Sequence, residues 1–158
     1  METKLSLAVQ YEHEAPQLTR ARIRSWVQKT LKAVYKDRNK PVSAALTIRL
    51  TDNEESKSLN STYRQKNYAT NVLTFAYGTA PDNITYADIV ICVPILQHEA
   101  NEQGKPFMHH AAHLVIHGTL HALGYDHSES TEAEHMEGIE VSILSTLGIP
   151  NPYSIHKP

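Results

Sequence analysis

The chain reads as one α+β domain over residues 1–158: a small mixed sheet of about four strands, with about five helices packed on it and a metal site at the end of a buried helix. Three observations predict this class. Strand patterns come early and the longest helical patterns late. No repeat, low-complexity run or linker divides the chain. Hydrophobic residues make up 41% and charged residues 20% of 158 positions, an ordinary globular balance that supports one core.

The elements follow in order. Leu5, Leu7 and Val9 alternate with Ser6, Ala8 and Gln10, the pattern of a half-buried strand. Pro16 is placed to open a helix. Leu18, Ile23, Trp26, Val27, Leu31 and Val34 then recur at helical spacing to about Tyr35. The other face carries Arg20, Arg22, Arg24, Lys29 and Lys32, either a solvated face or a phosphate-facing patch. The segment from Asp37 to Pro41 is a turn-rich connector. Leu46, Ile48 and Leu50 alternate with Ala45, Thr47 and Arg49 in a second strand. Asp52 with Glu55 then predicts a capping box on a short helix running to about Thr62.

Val72–Tyr77 and Ala87–Val93 are nearly continuous β-branched and aromatic runs, which predict two central strands joined by a turn at Pro81-Asp82-Asn83. Cys92 in the second run reads as an inert buried residue. Pro94 opens a helix to about Glu102, and Gly104-Lys-Pro106 breaks it. A histidine-rich helix spans about Met108 to Leu123. Thr131 with Glu134 predicts a second capping box, opening a last helix with Met136, Ile139, Ile143, Leu144 and Leu147 on one face. Gly148 and Pro150 end that helix.

Charge and cysteine content exclude several classes. The net charge of −2 means that a polyanion must be met by a local patch, not by the whole chain. A single Cys excludes an internal disulfide framework and fits a reducing compartment. Met1 to Gln10 lacks a signal-peptide pattern, and no stretch reaches the roughly 18 apolar residues of a membrane span. A cytoplasmic protein with no membrane association is expected.

The chemistry concentrates in His117-Gly-Thr-Leu-His121-Ala-Leu-Gly-Tyr-Asp-His127. Residues four apart on a helix share a face, about 6 Å apart along the axis. Gly124 is placed for a left-handed helix end, after which the chain can return His127 to the same point. Apolar neighbours surround these histidines, and a buried imidazole without a partner is costly. A metal ion on His117, His121 and His127 supplies the partner. Three protein ligands with a fourth position open is the catalytic zinc pattern, although nickel or copper would also suit three imidazoles. Such a centre lowers the pKa of bound water to about 7, so hydrolysis is the expected reaction class.

Other residues keep two readings each. A His-Glu-x-x-His peptidase carries its general base beside the first histidine; Gly118 stands there, serving either helix packing or close approach of a ligand. His109 and His113 continue the helical ladder as structural residues or pocket lining. Asp126 either orients an imidazole or shapes the turn. Arg64, at the junction of the short helix and third strand, either grips a phosphate or makes a surface ion pair. Lys66 is a weaker candidate of the same kind.

Residues 117 to 127 match the His-Gly-x-Leu-His-x-x-Gly-Tyr-Asp-His signature of the YbeY-type metal-dependent endoribonucleases, also described as rRNA maturation factors, and the chain resembles that family. Leu59 to Phe75 is similar to a second family segment, including Tyr63, Arg64, Lys66, Thr70, Asn71, Val72 and Phe75. Ala87-Asp-Ile-Val-Ile91 is similar to a third. Asn67, Ala69 and Ala87 depart from the family's Asp, Pro and Gly. The resemblance spans roughly residues 5 to 153. It implies a cytoplasmic single-strand-specific endoribonuclease acting in small-subunit (16S) rRNA 3′-end maturation and ribosome quality control. It further implies Zn2+ on His117, His121 and His127 and a catalytic role for Arg64. The partners it implies are rRNA and the small ribosomal subunit, with ribosomal proteins or GTPases as protein partners. Two other readings compete: a ribosome-assembly or RNA-binding factor with a mainly structural metal, and another zinc hydrolase such as a peptidase, which Gly118 disfavours.

Overall fold

A computed structural model describes residues 3–154; Met1, Glu2 and residues 155–158 of the expected 1–158 domain lie outside the described residues. The elements are β1 (Leu5–Tyr11), α1 (Arg20–Arg38), β2 (Ser43–Thr51), α2 (Asn53–Arg64), β3 (Val72–Thr79), β4 (Ile84–Cys92), α3 (Val93–Gln103), α4 (Phe107–Ala122) and α5 (Ser130–Thr146). The strands form one mixed sheet in the order β1-β2-β4-β3. β1 pairs parallel with β2 and β2 parallel with β4, whereas β3 and β4 are an antiparallel hairpin. The α+β class, and the four strands and five helices among the described residues, agree with the sequence reading.

α4 is the centre of the molecule. It touches α1, α3, α5, β3 and β4. His110 to Ile116 are all buried, as are Gly118, Thr119, Leu120 and Ala122. Ile23, Val27 and Leu31 of α1, Ile48 and Leu50 of β2, and Ile89 and Ile91 of β4 join Val115, Ile116 and Leu120 in one apolar core. Burial on this scale, at roughly 1.5–3 kcal/mol per large aliphatic side chain, fixes the position of the histidine helix.

At Gly118 helix and sheet are closely packed. A Cβ there would lie 2.9 Å from Ile89 Cγ2 and 3.4 Å from Val72 Cγ2. Of its two readings, packing is therefore the one observed. The position that a His-Glu-x-x-His peptidase gives to its base is filled by the sheet.

Four expectations are corrected. α1 does not open at Pro16. Thr19 caps it, its Oγ1 accepting from Arg22 N at 3.2 Å, while a turn closed by Leu18 N and Ala15 O (2.9 Å) buries Leu18 ahead of the helix. β3 is an edge strand, not a central one. Its apolar run serves two partners, α4 at one face and α2 at the other, and its far end is exposed. α5 begins at Ser130 with Glu129 as its extended N-cap, so Thr131 is already helical and cannot cap. The Asp52 box is half made: Asp52 Oδ1 accepts from Glu55 N at 2.9 Å, but the Glu55 carboxylate pairs with Arg49 instead of reaching back.

Candidate metal centre

α4 ends as the sequence predicts. Gly124 adopts φ +98°, and Tyr125 N donates to Leu120 O at 3.0 Å in the bonding of a left-handed helix end. The chain reverses and brings His127 beside His117 and His121. Ligand atoms of these three residues all lie within 4.8 Å of one another. The ring of His121 sits 4.6 Å from that of His117 and 4.9 Å from that of His127, centroid to centroid.

The two helical imidazoles present Nε2 to each other at 3.1 Å. Two nitrogens each about 2.05 Å from a tetrahedral metal are about 3.3 Å apart, so this spacing fits zinc. The protonation state fits as well. Burial, and then the neighbouring His117 and His127, push the pKa of His121 down, favouring the neutral ring that ligates metal.

His117 Nδ1 lies 2.5 Å from Glu140 Oε2, on α5. Glu140 is fully buried. Its other oxygen accepts from His113 Nε2 at 3.1 Å and from the Tyr153 hydroxyl. Burial alone would raise the Glu140 pKa, but the hydrogen bonds from His113, His117 and Tyr153 outweigh it and hold the pKa down at about 2. A carboxylate here keeps a proton on His117 Nδ1 and leaves the Nε2 lone pair facing the centre. This is the usual outer support of a metal-bound histidine.

His113, His117 and Glu140 also form a group close enough to hold a metal ion. The 2.5 Å separation of His117 Nδ1 and Glu140 Oε2 is that of a hydrogen bond, however, and leaves no space for an ion between them. Sequence reasoning missed Glu140 altogether. The available signal was a charge placed four residues after Met136 on the apolar face of the last helix.

A cleft of about 400 Å³ runs over the three histidines, lined also by Arg64, Asn71, Val72, Leu73, Thr74 and Ala76. Arg64 therefore reaches the site. It donates to Thr74 O at 2.9 Å and lies 5.2 Å over the ring of Phe75, so its observed partners are a carbonyl and a ring, not a carboxylate. The loop before β3 is held without the family's proline. Ser56 Oγ meets Thr70 N and O at 2.9 and 2.7 Å, and Asn60 Nδ2 donates to Tyr68 O at 2.9 Å. Asn71 donates to Glu99, which in turn accepts from His110 Nε2 at 2.8 Å. Burial pushes the His110 pKa down, so it acts as a neutral donor that joins this network to α4.

Other candidates lie elsewhere. Asp126 shapes the turn: its carboxylate accepts from His127 N at 2.7 Å and from Ser128 Oγ at 3.1 Å. His109 lines a different cavity, together with His113. Lys66 and the predicted patch of Arg20, Arg22, Arg24, Lys29 and Lys32 on α1 do not line the histidine cleft. Arg20, Arg22 and Arg24 donate to the carbonyls of Val9, Gln17 and Leu5, fastening α1 to its surroundings. Cys92 is fully buried, and burial pushes its thiol pKa up, which agrees with an inert role.

The sequence profile of the family described as Endoribonuclease YbeY matches residues 8–148. A protein of that name from Bordetella pertussis is 49% identical over 154 residues, covering 97% of this chain and 98% of the relative. Another, from Janthinobacterium sp. (strain Marseille), is 51% identical over 153 residues, with 95% of each chain covered. A solution structure of a Thermotoga maritima protein superposes with a TM-score of 0.57 at 23% identity, covering 95% of this chain and 97% of the other, and shares the fold. The chain belongs to the YbeY endoribonuclease family.

Proposed function

We propose that this member of the family is a zinc-dependent endoribonuclease that cuts single-stranded RNA. The observation that carries the reading is the convergence of His117, His121 and His127 on one point in a cleft that also receives Arg64. His117 and His121 would hold the ion through Nε2, with His127 as third ligand. Bound there, zinc would supply a water of pKa about 7 and polarise a phosphoryl oxygen.

The chain's own residues do the rest. Glu140 accepts a hydrogen bond from His117 Nδ1–H and keeps that ring in the tautomer that ligates. Arg64 offers a planar guanidinium to the non-bridging oxygens of a phosphodiester, binding it and stabilising charge that develops in the transition state. Thr74 O and the Phe75 ring keep the guanidinium at the lip of the cleft. The physiological substrate we infer is the 3′ end of small-subunit rRNA, in its maturation and in ribosome quality control. rRNA, the small ribosomal subunit, and ribosomal proteins or GTPases are the partners. A cytoplasmic location fits this role, and no helix among the described residues is long and apolar enough to cross a membrane.

Purified protein incubated with a single-stranded RNA tail tests the reading. Cleavage should stop on chelation, return with added zinc and be absent in His117→Ala. Folded, zinc-loaded protein that leaves the RNA intact would remove the nuclease assignment and favour an assembly factor with a structural metal.

A further inference from the structure

One side chain beside the cleft belongs neither to the apolar core nor to the histidine cluster. Tyr63, on the last turn of α2, is 60% exposed, and its ring meets Phe75 edge to face at 5.4 Å. Leaving so much aromatic surface in water forgoes burial that a folded chain would otherwise gain. Tyr68, Tyr77 and Tyr86 are also exposed, but the hydroxyls of Tyr77 and Tyr86 are tied to Asp88 and Asp82, and Tyr68, in the loop before β3, packs on no aromatic ring among the described residues. Tyr63 is held by its ring instead.

The place of this ring follows from strand geometry. Side chains alternate along β3. Val72 Cγ2 and Thr74 Oγ1 face Gly118 of α4 on one side of the sheet, so Phe75 points to the other, where its ring meets Tyr63 of α2. Arg64 joins the two faces across the sheet edge. It lines the cleft, bonds the Thr74 carbonyl, and lies over the same Phe75 ring that Tyr63 touches. A path therefore runs from the histidine cluster, past a guanidinium, onto the half-buried Phe75 ring and the exposed Tyr63.

The charge along this path also suits a polyanion. Residues 56–71 include Lys57, Arg64 and Lys66 and contain no Asp or Glu, in a chain whose net charge is −2. A guanidinium beside open aromatic rings is the recurring composition of single-strand binding surfaces: charge follows the backbone and rings take the bases.

We propose that Tyr63, supported by Phe75, is the stacking platform for a nucleobase of single-stranded RNA, the base that adjoins the phosphate held by Arg64. This deepens the endoribonuclease reading and rests on it. Stacking accepts any base, so the platform orders the strand without selecting its sequence. Duplex RNA keeps its bases paired and stacked and cannot use it, which gives a physical source for single-strand specificity.

The test uses the zinc-loaded full chain and a short single-stranded oligoribonucleotide in which 2-aminopurine is moved through successive positions, with intact RNA verified after each reading. One position should be quenched on binding. Tyr63→Ala should restore its fluorescence and weaken binding roughly 5- to 100-fold, the range measured for one stacked base. Tyr63→Phe should behave as wild type, and so should Tyr35→Ala, which removes an exposed tyrosine of α1. Replacing the quenched base with an abasic site should erase the difference between wild type and Tyr63→Ala, an outcome that a purely structural role for Tyr63 cannot produce. If wild type binds RNA but Tyr63→Ala binds equally well, or no position is quenched, the platform is wrong and the nuclease reading stands. If wild type binds no single-stranded RNA, the nuclease reading fails and the platform fails with it.

Discussion

At the residue scale, the site depends on which nitrogen of His117 carries the proton. Glu140 and Tyr153 bear on this from outside the three-histidine cluster, through the 2.5 Å contact to Nδ1 and the shared oxygen beside it. Glu140→Gln is therefore expected to lower zinc affinity about 10- to 100-fold, because its amide can offer either oxygen or nitrogen to the ring. Chelator competition measures this, and an unchanged affinity would show that the carboxylate does not orient His117. The three histidines were legible in sequence because one element supplies two of them and the next turn supplies the third, so spacing alone locates them. Glu140 was not legible as a partner. Its contact with His117 joins residues 23 apart on different helices, and only packing brings them together.

At the element scale, α4 must sit close to the sheet and its exit turn must be anchored. Gly118→Ala tests the first requirement. Alanine gains about 1 kcal/mol in helix propensity, while a methyl 2.9 Å from the β-branched, fully buried Ile89 costs about 1–3 kcal/mol in overpacking. A net loss on the order of 1 kcal/mol is expected in denaturant unfolding; a gain in stability would mean that the helix–sheet contact is loose.

The exit turn is anchored by α1. Tyr125 donates to Asp37 Oδ2 at 2.6 Å, with His135 3.1 Å from the same oxygen, while Arg38 bonds Leu123 O at 2.6 Å and lies over the Tyr125 ring. The Tyr125 hydrogen bond, opposed by partial burial and helped by His135, holds the Asp37 pKa below its ordinary value. The unfolded chain thus binds more protons than the folded one just below about pH 4. The contribution of Asp37 is complete above that pH and is lost as pH falls. Asp37→Asn should flatten the acid side of the stability–pH curve, and Tyr125→Phe should cost about 1 kcal/mol at neutral pH. An acid limb with the same slope in Asp37→Asn would exclude this anchor. Gly124 was readable as a turn from composition, but the anchor was not, because α1 offers Asp37 and Arg38 in what reads as a connector.

At the scale of the whole molecule, the same limit on sequence reading recurs. Strand and helix periodicity gave the class, because a half-buried strand and an amphipathic helix each print their environment on the chain. Strand order was hidden: the run from Val72 to Tyr77 looks central, yet it closes the sheet as an edge. That edge position matters for function. It lets Arg64 cross from α2 to the histidine cleft and leaves Phe75 and Tyr63 beside it. On the proposed function the metal serves the chemistry while the apolar core around α4 supports the fold. The most direct measurement is single-stranded RNA cleavage by His121→Ala, on a sample whose zinc content and thermal unfolding are determined together. Cooperative unfolding near that of metal-free wild type, loss of stoichiometric zinc and no detectable cleavage are expected. Cleavage at the wild-type rate by the zinc-deficient variant would show that the metal does not serve the chemistry.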